Sequence, residues 1–321
     1  MKWIPIGMFF LFCVFGVSGY ELWGQVVYLW ESKVGISKLL FHPHGMRFLL
    51  VLPIFVVSDW LAISYNWLFS CVMPLIITVT SFFIGSTVEW INHGLSRKKK
   101  KTLFFYISLS LILLSMFMNG RIMFAVMGSS IILNIFVKWD RKSFFGILIP
   151  GLISMFLCSV SSGTFIVAFL SFYTFLVFKY IQSYWCSRKN LELFFVFFAI
   201  LIVVLPLLKV LALKNVNYYG GGLAGFFNMM NHGLGSVFLN IDSLHLYLRS
   251  LVAFCCFWLL FLWLPHCRKI WTPLFLIVFS MIGGLFGIST MMLVIPPLIV
   301  IFCITIINFR TYLLPSIRKQ S

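Results

Sequence analysis

The sequence predicts an all-α, polytopic integral membrane protein with about 10–11 transmembrane helices and short loops. Two observations lead to this fold class. The 321 residues are 62% hydrophobic and only 10% charged, with a mean hydropathy of +1.06, whereas a soluble domain is about 45–50% apolar and about 25% charged. A larger hydrophobic core does not explain the excess of apolar residues, because a soluble globular protein of this length still needs a polar surface. We therefore expect one transmembrane domain over residues 1–321.

The positions of the basic residues are the third observation, and they orient the predicted helices. The net charge is +17, and most of the 24 lysines and arginines lie in short clusters between apolar runs. These clusters fall at residues 97–101, 138–142, 179–189, 268–269 and 310–319. Such clusters are typical of cytoplasmic loops. Their spacing argues against a nucleic-acid partner.

The first third of the chain allows two topologies. Residues 2–19 predict a transmembrane helix rather than a signal peptide, because no clear small-x-small cleavage site follows the apolar stretch. Residues 48–92 contain two apolar stretches with a polar break near Asp59. Two full crossings would place the N-terminus outside, whereas a broken or re-entrant helix near Asp59 would place it in the cytoplasm. The second topology is favoured, because Lys2 is basic and residues 20–47 carry both acids and bases.

The remaining apolar runs alternate between the two faces and bring the C-terminus inside. The predicted crossings are residues 103–118, 122–137, 143–160, 164–180, 191–209, about 248–265, 272–288 and 291–308. Between the crossings at 191–209 and 248–265 lies a glycine-rich loop at about 210–247, which this scheme places on the outer face. Irregular backbone at membrane depth must be buried or line a cavity. Residues 223–239 within it therefore predict a re-entrant or interfacial segment.

Basic residues on the outer face are the main candidates for function, because they oppose the topological bias. This set comprises Arg47, Arg121, Lys214 and Arg249, with His42, His44, His232 and His245. The planar guanidinium group can bind two phosphate oxygens at once. Several arginines on one face therefore indicate an anionic ligand. The alternative is that each side chain extends to the lipid headgroups.

Other chemistries find little support in the sequence. His42-Pro43-His44 has no third ligand at a useful spacing, and the eight cysteines show no CxxC pair. Neither a zinc-protease motif nor a Walker motif occurs. No metal or other cofactor is therefore expected. His232 and His245 are candidate general bases because imidazole titrates near neutral pH.

Three features together resemble the Wzy-type polymerases of O-antigen and capsule repeat units. They are the arginine in the short outer turn Asn119-Gly120-Arg121, the long outer loop late in the chain, and the stretch 42–47 before the helix that starts at Phe48. The resemblance covers most of the chain loosely. The chain is short for this group, and its late outer loop is modest.

The resemblance implies a bacterial cytoplasmic (inner) membrane location and an undecaprenyl-diphosphate-linked oligosaccharide as substrate. The enzyme would transfer the growing glycan to the next lipid-linked repeat at the outer leaflet, without a metal. Arg121, Arg47 and Arg249 would bind the diphosphate, and His232, His245 or Asp242 would act as the base. Membrane lipid, a flippase and a chain-length regulator are the further partners implied.

Two other functions remain open at this point. A transporter or flippase of an anionic lipid-linked sugar would use the same arginines and release the ligand unchanged. A non-catalytic membrane subunit would leave the outer charges unexplained.

Overall fold

The computed structural model describes residues 20–33, 35, 39, 42, 44–92, 95–117, 120–182, 188–235, 271–283 and 292–313. Within these ranges the regular structure is helical and no strand occurs, which confirms the all-α prediction for the described chain. In chain order the helices are α1 (Gly24–Glu31), α2 (Gly45–Leu61), α3 (Tyr65–Ile91), α4 (Arg97–Phe117), α5 (Met123–Val137), α6 (Phe144–Leu157), α7 (Ser162–Gln182), α8 (Arg188–Tyr218), α9 (Gly222–Gly235), α10 (Trp271–Gly283) and α11 (Ile295–Leu313). Short 3-10 turns lie at Trp139–Arg141, Cys158–Val160 and Met292–Val294.

Three helices of the described chain are long and apolar enough to cross a membrane. They are Tyr65–Ile91, Ser162–Lys179 and Leu191–Tyr218. Three apolar helices are shorter, at Met123–Val137, Phe144–Val160 and Met292–Ile307. The predicted crossings at residues 2–19 and about 248–265 lie outside the described residues. The described chain thus has the character of a membrane protein.

Helix α5 forms the centre of the bundle. Its sequence is apolar all round, and a helix of that kind is buried on every side. Nearly every side chain from Met123 to Phe136 is buried, against α3, α6, α7, α10 and α11. Gly128 permits the close approach of α6, because a Cβ atom there would lie 2.7 Å from the carbonyl oxygen of Ser154.

Short polar side chains join the central helices. The Asn134 amide donates to the Thr87 hydroxyl at 3.1 Å, and the Ser129 hydroxyl donates to the Leu293 carbonyl at 2.6 Å. Lipid offers no hydrophobic drive for helix association, so such hydrogen bonds and small residues hold membrane helices together. These contacts fix the registers of α3 and α11 against α5.

One end of the bundle, here called the lysine-rich end, gathers three of the basic clusters. Lys100 pairs with Glu89, and Lys179 lies 3.8 Å from Asp140. The Lys189 ammonium donates to the carbonyl oxygens of Trp139 and Lys142, at 3.2 and 2.9 Å. These contacts connect the turns before α4, after α5 and before α8. The prediction that these clusters share one face is confirmed.

The opposite end, here called the arginine end, is defined by Arg47, Arg121 and the segment 20–25. The Tyr20 hydroxyl hydrogen-bonds to Ser115 near the end of α4, and the Leu22 amide donates to the Asn66 side chain at the start of α3 at 3.0 Å. Since α3 and α4 reach the lysine-rich end at Glu89 and Lys100, both helices connect the two ends. The segment 20–25 therefore packs across the bundle at the arginine end.

Helix α2 both begins and ends at the arginine end. Arg47 in its first turn contacts Val160 and Gln25, and its last residues lead through Ala62–Ser64 to the start of α3. Ala62 adopts the left-handed conformation, with φ +52°, and reverses the chain. The break in residues 48–92 therefore lies at 62–64, just after Asp59, and α2 does not connect the two ends.

The predicted loop at about 210–247 is corrected by the structure over its first half. Helix α8 continues to Tyr218, and α9 follows from Gly222 to Gly235, so the irregular part in this half is only residues 219–221. Residues 209–218 contain no glycine or proline, and nothing there ends the helix. Gly220, Gly221 and Gly222 all have positive φ and form the turn. Residues 236–247 lie outside the described residues.

Candidate anion-binding site

Arg121 holds the N-terminal segment against the arginine end. Its Nε donates to the Glu21 carbonyl at 2.8 Å, and one Nη donates to the Leu22 carbonyl at 3.2 Å. The Glu21 carboxylate lies 4.0 Å from this guanidinium, but that carboxylate is 69% exposed. An exposed pair at this distance adds little stability. Arg121 thus uses two of its five N–H donors on backbone and keeps the others for a ligand.

The turn before Arg121 requires glycine. Gly120 has φ +69°, a conformation that L side chains rarely adopt. A Cβ atom there would lie 2.9 Å from both the Met73 sulfur and the Tyr20 ring. This packing places Arg121 directly above the segment 20–25. The tight turn predicted from Asn119-Gly120-Arg121 is confirmed at Gly120 and Arg121, and Asn119 lies outside the described residues.

Arg47 lies beside Arg121 and is held by neutral partners. Its Nε donates to the Val160 carbonyl at 2.7 Å, and its guanidinium carbon lies 5.0 Å from the centre of the Trp23 ring. A third, longer contact of 3.4 Å reaches the Gln25 side chain. Burial, and then the charge of Arg121, lowers the pKa of Arg47 to about 10, so it remains cationic at neutral pH.

A third cation, Lys214, approaches from the end of α8. Lys214 is 25 residues beyond Lys189 on the same helix, which is about 37 Å along the axis. That exceeds the hydrocarbon thickness of about 30 Å, so a helix with Lys189 at one membrane surface places Lys214 beyond the other. Its charge acts on both His42 and His44. Arg47, Arg121 and Lys214, with these two histidines, are called the cation cluster below.

The two histidines are neutral members of the cluster. Burial, followed by the charges of Arg47, His42 and Lys214, lowers the pKa of His44 to about 4. Burial and the charge of Lys214 lower the pKa of His42 as well. The rings are 5.6 Å apart, and the His42 Nδ1 accepts the backbone N–H of His44 at 3.2 Å. Both imidazoles are therefore uncharged at pH 7.

Two buried polar atoms at this end have no hydrogen-bond partner among the described residues. They are the Lys214 ammonium nitrogen and the Ser159 hydroxyl. Ser159 precedes Val160, the residue whose carbonyl binds Arg47. Buried polar groups are almost always paired, and a buried unpaired charge is costly. An anion bound at the cluster would pair the Lys214 ammonium.

Among the described residues, one carboxylate forms an ion pair with the cluster, that of Glu21 with Arg121, and it is exposed and 4.0 Å away. Neither Arg47 nor Lys214 forms an ion pair in the described ranges, and the ion pairs there other than that of Arg121 belong to the lysine-rich end. Asp59 is exposed in the last turn of α2. No group of three or more His, Cys, Asp or Glu side chains in the described ranges is arranged to hold a metal. The cluster therefore has the electrostatics of an anion site.

The structure brings together two of the six predicted site residues, Arg47 and Arg121. His232 lies on α9, whose backbone follows the α8–α9 turn. Its side chain is outside the described part of the structure, as are residues Asp242, His245 and Arg249. The predicted general base is thus not placed against the cluster.

The sequence interpretation left Lys214, His44 and Ser159 out of the binding site. The position of Lys214 outside the lysine-rich clusters is the sequence feature that indicates a place for it in the site. His44 belongs to the same outer-face set of basic residues, but its sequence neighbourhood indicates no partner beyond His42. Ser159 carries no sequence signal, since a serine in an apolar run is common in membrane helices. Helix α2 packs against the 3-10 turn at 158–160, and the charge of Lys214 acts on the two histidines that precede α2.

Comparison with protein-family models, curated proteins and solved structures gives no match. The interpretation of the cluster accordingly depends on its own geometry. Among the described residues, Arg47 and Lys214 form no ion pair, and the one carboxylate near Arg121, that of Glu21, is exposed and 4.0 Å away. These three cations, with two neutral imidazoles beside them, can bind a multiply charged anion. A diphosphate has enough oxygens for all of these donors.

Proposed function

We propose that this chain is a polymerase of undecaprenyl-diphosphate-linked oligosaccharide repeats, acting at the outer leaflet of a bacterial cytoplasmic membrane. The observation that supports it is the cation cluster at the end opposite the lysine-rich end. Under the positive-inside rule the lysine-rich end is cytoplasmic, so the cluster faces outward. That is the leaflet where a polymerase would meet its substrate.

The cluster would act on the leaving group of the reaction. An acceptor hydroxyl oxygen attacks the anomeric carbon of the donor glycan, and the bond from that carbon to the diphosphate oxygen breaks. Undecaprenyl diphosphate leaves with the electron pair, and the hydroxyl proton passes to a base. Arg47, Arg121 and Lys214 would stabilise the negative charge that develops on the diphosphate, as preorganised donors do in a site shielded from water.

The base of the proposed reaction is assigned from the sequence. His232, His245 and Asp242 are its candidates, and His232 lies on α9. Arg249 would be a further diphosphate ligand. Ten or eleven spans and a single domain are the topology that this proposal assumes.

Deletion of the gene tests the proposal against the flippase alternative. Without a polymerase, the cell surface would carry single repeats in place of long glycan chains. Without a flippase, lipid-linked repeats would accumulate on the cytoplasmic side and the surface would lack them. Electrophoresis of the surface glycan and lectin-based detection of lipid-linked repeats on each side of the membrane separate these results.

Complementation then tests the cluster itself. Arg47→Gln is expected to give single repeats or short chains, and Arg188→Gln should restore normal chain length. Arg188 is a suitable control because it is a 92% exposed arginine at the other end of the molecule, where it pairs with Glu192. Normal chain length with Arg47→Gln would reject the proposed role of the cluster.

A further inference from the structure

The basic run at the start of α4 divides between two faces of the helix. Arg97, Lys100 and Lys101 line a cavity of about 530 Å³ on the side of α3. Lys98 and Lys99 line a separate groove on the side of α11. This division follows from the helical period, since residues three and four apart share a face.

The two sides differ in charge. On the α3 side Glu89 lines the cavity and pairs with Lys100, so part of the positive charge is neutralised. On the α11 side none of the described lining residues is acidic, and Lys98 and Lys99 are exposed without an ion pair in the described chain. The groove therefore has a positively charged mouth.

Beyond its mouth the groove is long and apolar. Its volume is about 780 Å³, and it runs between α4 and α11. After Lys98, Lys99 and Thr102, the lining continues with Tyr106, Phe302 and Ile306, all three substantially exposed. An apolar channel beside a pair of lysines matches a molecule with an anionic head and a hydrocarbon tail. Basic pockets between membrane helices on the cytoplasmic side are suited to anionic lipid headgroups.

We propose that this groove binds one anionic phospholipid of the surrounding membrane. The phosphate lies at Lys98 and Lys99, where the first-turn N–H groups of α4 also favour negative charge. One acyl chain follows the groove past Tyr106 toward Phe302. The site is distinct from the cation cluster at the other end of the molecule, and it does not depend on the proposed polymerase activity.

Native mass spectrometry of the detergent-purified full chain tests this site with phosphatidylglycerol and phosphatidylcholine of identical acyl chains. We expect the wild type to bind one phosphatidylglycerol about 30-fold more tightly than phosphatidylcholine, since each lysine near an anionic lipid contributes about fivefold. The double variant Lys98→Gln/Lys99→Gln should lose most of that preference. The control variant Lys33→Gln/Lys209→Gln removes the same charge outside the groove and should retain it.

A second variant tests the apolar part without touching the charges. Ile306→Trp fills the groove and should weaken phosphatidylglycerol binding about tenfold, the effect of inserting volume into a packed site, whereas Leu109→Trp, at an exposed α4 position away from the groove, should not. Glycerol phosphate, which has the headgroup without acyl chains, should fail to displace the lipid.

Three results would each overturn the proposal. They are equal binding of the two lipids to the wild type, an unchanged lipid preference in Lys98→Gln/Lys99→Gln, and displacement of the lipid by glycerol phosphate as effectively as by phosphatidylglycerol. In the last case the groove would be a phosphate site and would contribute nothing through its apolar walls.

Discussion

Lys214 is the residue at which binding and stability oppose each other. Its ammonium nitrogen is buried and has no hydrogen-bond partner among the described residues, and it lies close to His42 and His44. A cation in this state destabilises the ligand-free protein and strengthens the binding of an anion. Arg47 and Arg121 differ from it, because each also binds backbone carbonyls and so contributes to the fold.

Replacing Lys214 by methionine is therefore expected to separate the two effects. Met has a similar length without the charge, so Lys214→Met should stabilise the ligand-free protein by about 1–3 kcal/mol. The same change should weaken binding of a short polyprenyl diphosphate by about 1.5–3 kcal/mol, the value of a hydrogen bond from a charged group. Thermal unfolding in detergent and a binding titration measure the two quantities.

Lys209→Met provides the control, because Lys209 is exposed on the same helix. It should alter neither quantity appreciably. A loss of stability in Lys214→Met, with binding unchanged, would mean that the ammonium stabilises the fold instead of a ligand.

His44 makes the same site sensitive to pH. Its pKa of about 4 in the folded protein lies below the ordinary 6.5, so between these values the unfolded chain binds more protons. Its contribution to stability is therefore full above pH 6.5 and is lost as the pH falls toward 4. A bound anion favours the protonated imidazole, so affinity for a diphosphate should rise as the pH falls through the same range.

Binding titrations at pH 7.5 and pH 5.5 test this linkage. The diphosphate itself gains protons in this range, so the informative quantity is the difference between the wild type and His44→Gln. The wild type should gain more affinity on acidification than the variant. Identical pH dependence in the two proteins would exclude His44 from the site.

At the scale of the helices, the sequence predicts the composition of an element better than its direction. Helix α2 has the apolar length of a near-complete span, yet both its ends lie at the arginine end. Arg47 is held there by Val160, which is 113 residues away. The local pattern of apolar and polar residues carries no information about a contact between residues so far apart in the sequence. Helix α8, in contrast, continues to Tyr218, into the start of the predicted loop, because residues 209–218 contain no glycine or proline.

The Gly120 turn is the local element on which the arginine end depends most. Gly120→Ala is expected to destabilise the protein by about 1–3 kcal/mol, the usual cost of a strained backbone position, because φ is +69° and the new methyl group would contact Met73 and Tyr20. Unfolding in detergent measures the change. Gly85→Ala in α3 is the matched control, since no heavy atom lies within 4 Å of its Cβ position. That variant should be neutral or stabilised by about 0.5–1 kcal/mol.

If both glycine variants were equally stable, the positive φ of Gly120 would not constrain this turn. The same result would remove the packing argument for the position of Arg121.

At the scale of the whole molecule, the division into a lysine-rich end and an arginine end was predictable, because the sequence shows both the basic clusters and the alternating apolar segments. The site was predictable only in part. Arg47 and Arg121 could be selected as cations that oppose the topological bias. Which members of the outer-face set come together could not be predicted, since Lys214 and His44 are 170 positions apart and interact only in the folded chain.

The most direct test of the central claim is a polymerisation assay in liposomes that contain the purified protein and outward-facing undecaprenyl-diphosphate-linked repeats. The wild type and Arg188→Gln should convert single repeats into a ladder of longer glycans on electrophoresis. Arg47→Gln and Lys214→Met should leave the repeats single. A ladder as intense as that of the wild type from both Lys214→Met and Arg47→Gln would contradict the proposed function. So would transfer of unaltered repeats across the bilayer by the wild type without any ladder.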